Sequence, residues 1–496
     1  MGIIIKQTIR GSIWSYAGVL LGFLNLAILS PKIFSAEEIG LTQVLIAIST
    51  ILAQLSGLGF QDVTNRLFPF FRDNHKHHNG YLFLVMAVSA TGFILVSIFL
   101  YFFTPYLIRQ NLDKSPLLSE YAFYIWPLVF FFLFFAVFDN YNKVLYNIVL
   151  GTFLKDFLLR FLNLGIILLY YFDVIDFARY VLLFVIIQSV PPLVLSLYLI
   201  KKNKFNLRPQ LRFITPELKR QILLLCVFGI ISGLSGFALI NIDKYMVNAY
   251  IDLKAAGIYS VTFYFGTLIM IPSRVMNKVT VPIISESWKA NNLAKIEDVL
   301  IKSSINQFLF GVLLFAGIWG NLHNIFRILP ENYENGQWVI FFISMANLVT
   351  VSTGSSAIII NTSKYYRFQA YFMFMLIALV VITNVIFIPL LGITGAAMAS
   401  FISTSFYTIT RILFLRKKFG LWPFQISHIY VIIVAAISFA VSQFMPRMNS
   451  LWFDIAVRSA IITLIYFALT YWFGISSELN SWMKESVQKI TSFRRK

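Results

Sequence analysis

Residues 80–104 read GYLFLVMAVSATGFILVSIFLYFFT, from Gly80 to Thr104, without one charged side chain. A helix of that length rises roughly 37 Å, enough to cross the hydrocarbon layer of a bilayer, about 30 Å thick. The stretch therefore predicts a transmembrane helix. Working outward, runs of the same kind lie at about 11–31, 40–60, 121–141, 145–170, 177–200, 219–242, 256–285, 304–327, 337–360, 366–388, 392–415, 427–445 and 454–474. The expected fold is an all-α polytopic membrane protein with about 14 transmembrane helices. Over the 496 residues, 58% are hydrophobic, 17% aromatic and 12% charged, with a mean hydropathy of +0.78. A soluble domain carries about 25% charged residues, so half of the usual solvating surface is missing. That excludes a soluble catalytic domain, a disordered scaffold and a collagen-like fibre.

The single Cys226 makes no internal disulfide, which leaves helix packing to hold the fold. The run after Arg10 has full spanning length, so a retained first helix is expected instead of a cleaved signal. Met1-Gly2 as a myristoylation start would add little to a chain with many spans.

The formal charge of +19 invites a nucleic-acid reading, but its distribution answers otherwise. Alternate connections carry about 26 Lys and Arg on one side and about 6 on the other. The rich side holds both termini, the loop with Arg66, Arg72 and Lys76, the 201–220 segment and Arg416-Lys417-Lys418. Tyr171–Asp176 and Pro389–Thr394, on the poor side, hold none. By the positive-inside rule both termini are expected in the cytoplasm, and the basic excess reflects topology, with no nucleic-acid partner.

The longest polar interruption, KKNKFNLRPQLRFITPELKR from Lys201 to Arg220, follows the sixth expected span. Six more spans reach about residue 418, and a pair closes the chain. An even number of spans gives both six-helix units the same orientation, a transporter plan of parallel repeats. The expected domains are an N-lobe at 1–215, a C-lobe at 216–420 and a C-terminal helix pair with its tail at 421–496. A local echo fits two pseudo-symmetric lobes: Ser35-Ala-Glu-Glu-Ile-Gly40 opens the second span and Leu253-Lys-Ala-Ala-Gly257 the eighth. Pro127, Pro191-Pro192, Pro272 and Pro282 lie in or near spans, where proline frees carbonyls and kinks helices.

Ionisable residues inside spans are costly and mark pathways or pairs. The fifth expected span carries Asp156 and Arg160 at i,i+4, with Lys155 beside them and Asn163 further along. The eighth carries Arg274 and Lys278 at i,i+4, with Thr267 two turns earlier and no acid within a turn. Asp156–Arg160 reads as an internal ion pair or a site; Arg274 and Lys278 read as anion-facing or snorkelling cations. Gln43, Thr50, Gln54, Gln61 and Asn65 form a polar stripe leading to Arg66. Asn25, Ser352-Thr-Gly-Ser-Ser356 and Asn384 add further polar groups, which glue helices or line a cleft.

Catalytic patterns are weak. His75-Lys76-His77-His78 reads as a solvated turn in a basic loop and not a metal site. His323 and His428 have no evident Ser or Cys partner, and no Walker A sequence is present.

Asn241-Ile-Asp243-Lys-Tyr-Met246, Ala255-Ala-Gly257-Ile-Tyr259 and Pro282-Ile-Ile-Ser285 resemble the middle of polysaccharide-transporter flippases. So do Asn384, Ile388-Pro389, Leu391-Gly-Ile-Thr-Gly395-Ala-Ala397 and Lys417-Lys418-Phe-Gly420. The chain is thus similar to the O-antigen/polysaccharide (Wzx-like) flippases of the multidrug/oligosaccharidyl-lipid/polysaccharide exporter superfamily. The resemblance implies two six-helix lobes around a central cavity plus a helix pair, in the bacterial cytoplasmic (inner) membrane. It implies alternating-access movement of an undecaprenyl-pyrophosphate-linked oligosaccharide to the periplasmic leaflet, with no cofactor and no covalent chemistry. Implied partners are that lipid-linked oligosaccharide, membrane lipids and glycan polymerase machinery, with the chain itself a monomer. Candidates for the pyrophosphate are Arg274, Lys278, Arg160, Lys155 and Arg66; Asn25 and Gln54 are candidates for the glycan, and Asp156 for a coupling cation. A cation-coupled drug exporter of the same superfamily and a membrane-embedded glycan polymerase or transferase remain as alternatives.

Overall fold

A computed structural model describes residues 2–73, 76–210 and 213–481. Eighteen helices matter here: α1 (Gly2–Phe23), α2 (Ala36–Ser56), α3 (Phe60–Phe71), α4 (Tyr81–Asn111), α5 (Ile125–Val144), α6 (Leu159–Tyr171), α7 (Phe177–Ile187), α8 (Val190–Lys201) and α9 (Pro216–Tyr250). Then follow α10 (Leu253–Thr267), α11 (Ile271–Lys289), α12 (Leu293–Gly320), α13 (Leu322–Ile328), α14 (Gln337–Val351), α15 (Ser356–Thr362), α16 (Tyr366–Phe419), α17 (Ile426–Gln443) and α18 (Leu451–Trp472). Shorter turns join them, and the described residues contain no strand. In lipid every backbone N–H and C=O must be satisfied within the chain, which is why an apolar sequence of this kind is all helical.

Helix ends follow local chemistry. Ser35 and Glu38 form a reciprocal capping box, 3.2 and 2.8 Å, that starts α2. Thr215 accepts from Leu218 N at 3.2 Å and Pro216 takes the first turn of α9. Asp176 and Asn292 cap α7 and α12 in the same way. Gly420, at φ +72°, stops α16 just after Arg416, Lys417 and Lys418. Ser35→Ala is expected to lower stability by about 1 kcal/mol, read as a lower unfolding midpoint in detergent. An unchanged midpoint would mean that the α2 terminus is held by packing alone.

Where about fourteen spans are expected, ten helices among the described residues are long and apolar enough to cross a membrane, eleven if the bent pair Glu331–Val351 and Ser356–Thr362 is one. The expected spans at 366–388 and 392–415 run together as the 54-residue α16, broken in its backbone at Gly392 (φ +61°). At 1.5 Å per residue that is about 80 Å, over twice the hydrocarbon thickness. The expected span at 145–170 is continuous helix from Val149 to Tyr171, with a π-helical turn at Phe153–Leu158 and three charged residues, Lys155, Asp156 and Arg160, within it. The run at 40–60 ends early at the Gly57-Leu58-Gly59 turn, so Gln61, Asn65 and Arg66 sit on α3 and not on a continuation of the α2 stripe. Thr267 is likewise parted from Arg274 by a 3-10 turn at Leu268–Met270. Pro191, Pro192 and Pro272 occupy helix first turns, where proline costs little; Pro282 lies inside α11.

The chain divides into two compact units. The first comprises Met1–Val261 with Val380–Ile393; the second comprises Thr262–Leu379 with Thr394–Lys496. In the first, Phe68, Phe71, Tyr81 and Tyr141 pack edge to face, and Phe34 stacks on Tyr170. His78 joins the first group against Phe68 at 2% exposure, which corrects the solvated turn expected of 75–78; His75 lies outside the described residues. In the second, Phe308, Leu309, Val312, Val351, Val434 and Tyr466 form the core joining α12, α14, α17 and α18. Tyr466 donates its hydroxyl to Leu309 O at 2.8 Å, satisfying the one polar atom it buries there.

Candidate functional site

Two π-helical turns organise the polar groups of the first unit. One, Leu24–Leu29, holds Asn25; the other, Phe153–Leu158, holds Lys155 and Asp156. A π-turn withdraws a carbonyl from the ordinary ladder, and such bulges gather at functional positions. Asn25 Nδ2 donates to Arg160 O at 2.7 Å, which ties the two turns together. Ser15 donates to Asp156 Oδ2 at 2.5 Å. Gly18 lets α1 approach closely, for a Cβ there would lie 2.0 Å from Asp156 O. Trp14 packs on Phe153 and Phe157, and the Lys155 ammonium lies 5.3 Å from the Phe135 ring centroid.

The expected Asp156–Arg160 ion pair does not form: the carboxylate is turned to Ser15. Arg160 Nη1, Asn25 Oδ1 and Asn163 Oδ1 are buried without hydrogen-bond partners. A buried charged group without a partner costs several kcal/mol. One guanidinium nitrogen and two amide oxygens without partners thus cluster around one pair of bulges.

Gln54 is buried and accepts from Gln61 at 3.2 Å, while a Cβ on Gly233 would meet its Nε2 at 2.0 Å. It belongs to a seam between α2 and α9, which pack antiparallel. Near one end Gly59 (φ +71°) meets Gly229: a Cβ on either would lie 2.2 Å from Cys226 O or 2.4 Å from Gly59 O. At the other end Gly40 and Gly257 make a reciprocal contact, with a Cβ on Gly40 falling 1.9 Å from Leu253 O and one on Gly257 falling 1.8 Å from Ala36 O. These are the two segments whose sequences echo each other. Lys244 donates to Gln43 Oε1 at 2.9 Å between the two ends. Arg66 is exposed on α3, away from this seam's buried face.

Sequence reading did not assign Asp243 to a site, although it lies in a quoted motif. Its side chain is 1% exposed and accepts from Tyr259 Oη at 2.8 Å and from Asn384 Nδ2 at 2.7 Å. An acid in an apolar helix, with Tyr and Asn in neighbouring motifs, was the available signal. Asp243→Asn would set an amide N–H against one of these donors. The expected loss is about 1–3 kcal/mol, read as a lower unfolding midpoint in detergent. An unchanged midpoint would mean that the node does not hold these helices.

In the second unit Arg274 is exposed on α11 and makes no hydrogen bond or ion pair among the described residues. Lys278, one turn on, is also exposed. The adjoining face of α11 is polar: Ser273 donates to Gln307 Oε1 at 2.9 Å, and Gln307 donates to Asn277 Oδ1 at 3.0 Å. Arg411 is buried and donates to Thr353 at 2.8 Å and Tyr407 at 3.1 Å.

His428 does have a serine partner, contrary to expectation: Ser304 Oγ lies 2.8 Å from its Nε2. Ser304 donates to Ser352 O at 2.6 Å, and His428 Nδ1 accepts from Gln425 N at 3.1 Å. The imidazole is then the donor to Ser304, the reverse of what activating a nucleophile requires.

The fold is an all-helical multi-pass membrane fold that solved structures share. Its match to a lipid II flippase MurJ in an inward closed conformation has a TM-score of 0.76 at 15% identity, covering 94% of this chain and 98% of that one. An inward-facing multidrug resistance MATE family transporter of the MOP superfamily matches at TM-score 0.57 and 14% identity, over 83% and 94%. A MATE in complex with MaL6 matches at 0.53 and 16%, over 84% and 96%. No curated protein matches in sequence. Residues 4–288, more than half of the chain, match the family described as polysaccharide biosynthesis protein, and the chain belongs to that family.

Proposed function

We propose that the protein is a lipid-linked oligosaccharide flippase, which moves an undecaprenyl-pyrophosphate-linked glycan from the cytoplasmic to the periplasmic leaflet by alternating access. The observation that carries the reading is the polar cluster at the paired π-turns, where a partnerless guanidinium nitrogen and two amide oxygens lie within the spans. A pyrophosphate-sugar headgroup cannot cross hydrocarbon unaided, because stripping water from its charges is prohibitive. A guanidinium meets phosphate oxygens bidentately, and amides meet sugar hydroxyls. Arg160, Lys155 and Asn25 take these roles in the first unit, Arg274 and Lys278 in the second; Gln54 and Arg66 complete the proposed set. Family membership supports the substrate class, since a polysaccharide made on a lipid carrier must change leaflets.

The proposed setting is a bacterial inner membrane with both termini cytoplasmic. The lopsided Lys and Arg count supports it, as does the meeting of two loops both expected inside: Gln210 donates to Lys76 O at 3.3 Å. Asp156 is the proposed coupling group, with transport drawing on an ion gradient or the membrane potential, about 2.3 kcal/mol per charge per 100 mV. The second reading, a cation-coupled drug exporter, is favoured by one observation, the buried carboxylate Asp243. Binding of purified protein to an undecaprenyl-pyrophosphate oligosaccharide and to a panel of cationic dyes separates the two. Glycolipid binding that Arg160→Ala weakens supports the flippase; dye binding that Asp243→Asn weakens, without glycolipid binding, supports the exporter.

A further inference from the structure

The second unit carries a large open cavity that the transport reading does not use. About 1070 Å³ in volume, it lies between α13, the turn at Glu331–Gly336, the start of α14 and the 444–450 turn that joins α17 to α18. That volume exceeds the ~300–1,000 Å³ usual for small-molecule sites, so there is room for several linked rings and not merely an ion.

One wall is rigid. Asp454, fully buried, accepts from Arg458 Nε and Nη2 at 3.3 and 3.2 Å, from Met448 N at 3.2 Å and from Asn324 Nδ2. His323 Nε2 lies 3.0 Å from the same carboxylate. Burial pushes this imidazole below its ordinary value, so it is neutral near pH 7 and donates to Asp454. Arg327 donates to Met448 O at 3.3 Å and to Asn449 O at 3.0 Å, and Arg458 donates to Ser442 O. The 444–450 turn is thereby fastened at three backbone groups and the end of α17 at a fourth, and whatever enters the cavity meets a wall already in place.

The groups left over point to the ligand. The Trp338 ring is half exposed at the lining, backed by Trp319 and Phe341. The Arg447 guanidinium is exposed and makes no hydrogen bond or ion pair among the described residues. Glu334 and the Asn449 amide complete the set. An exposed indole face suits the apolar C–H face of a pyranose, while amide and carboxylate suit its hydroxyls. Arg447 supplies a fork for one carboxylate or phosphate. With Arg327 and Arg447 against the single acid Glu334 and a neutral His323, the lining is net positive, which favours carboxylate-bearing sugars over neutral ones.

We infer that this cavity is a second carbohydrate site, apart from the polar cluster at the paired π-turns, which binds an oligosaccharide whose sugars carry a negatively charged group. The Lys and Arg asymmetry places it on the extracytoplasmic face, where it would hold glycan that has already crossed. It rests on the flippase reading only for the source of that glycan.

The test is calorimetric titration of the purified full-length protein in detergent with tetragalacturonate, and with neutral maltotetraose as comparator. Tetragalacturonate is expected to bind at least tenfold more tightly than maltotetraose. Arg447→Gln should remove that preference, Arg447→Lys should restore part of it, and Trp338→Ala should weaken both sugars while Trp338→Tyr retains them. Arg447 and Trp338 are exposed, and unfolding midpoints equal to that of the parent protein show that the fold is kept. Equal affinity for the two tetrasaccharides, no binding of either at millimolar concentration, or full retention by Arg447→Gln would overturn the proposal. The measurement needs no transport, so its failure leaves the flippase reading to its own experiment.

Discussion

Replacing Gly257 with leucine is expected to abolish transport while leaving an inserted, folded protein. A Cβ at 257 would stand 1.8 Å from Ala36 O, and backbone is the obstacle, so no side chain can swing aside to make room. The start of α2 and the start of α10 must therefore part. Overpacking of this kind costs about 1–3 kcal/mol, and 2.8 kcal/mol is a hundredfold in a conformational equilibrium. In the proposed alternating-access cycle the seam closes in one phase, so the whole cycle stalls when that phase is lost. Gly40→Leu should act alike, since its contact is the reciprocal one. Seam closure can be read by bridging Gln43→Cys with Lys244→Cys, through a short bifunctional thiol reagent in a Cys226→Ser background. The bridge should form readily with Gly257 present and at least tenfold less with leucine. Normal transport with an open seam would show that this contact is only packing.

The second large effect concerns Arg160. An unpartnered arginine at the centre of a span costs about 2.5–3.5 kcal/mol on insertion scales, and Arg160 Nη1 is buried without a partner. Arg160→Ala is expected to raise the unfolding midpoint and at the same time to remove transport by at least a hundredfold. A purely structural arginine predicts the opposite pairing, lower stability with transport changed only in proportion. Arg160→Lys should restore a fraction, because an ammonium replaces the charge but not the planar fork. Arg274→Ala makes the same test in the second unit, with a smaller change in stability because its side chain is already exposed.

Much of this was legible beforehand, and the residues show why. Long uncharged runs such as 80–104 announce membrane helices directly, since composition alone carries that signal. The Ser35–Gly40 and Leu253–Gly257 echo was visible as a pattern, but only coordinates reveal that the two copies touch each other. Where an apolar run keeps its composition while its backbone changes, sequence misleads. The π-turns at Leu24–Leu29 and Phe153–Leu158 and the Gly57–Gly59 turn all lie within hydrophobic stretches. The Asp156–Arg160 spacing suggested a pair, yet a π-turn shifts the angular relation between i and i+4, and Asp156 turns to Ser15 instead. Asp243 was hidden for another reason. Its partners Tyr259 and Asn384 come from distant segments, and no local spacing links them.

The most direct measurement of the central claim is leaflet exchange in protein-containing vesicles. A fluorescent undecaprenyl-pyrophosphate oligosaccharide is placed in both leaflets, and its exposure to an impermeant quencher is followed in the absence of nucleotide. The account predicts exchange at least tenfold faster than in protein-free vesicles, lost with Arg160→Ala and with Gly257→Leu. Exchange no faster than in empty vesicles, from protein that moves cationic dyes along an ion gradient, would contradict it.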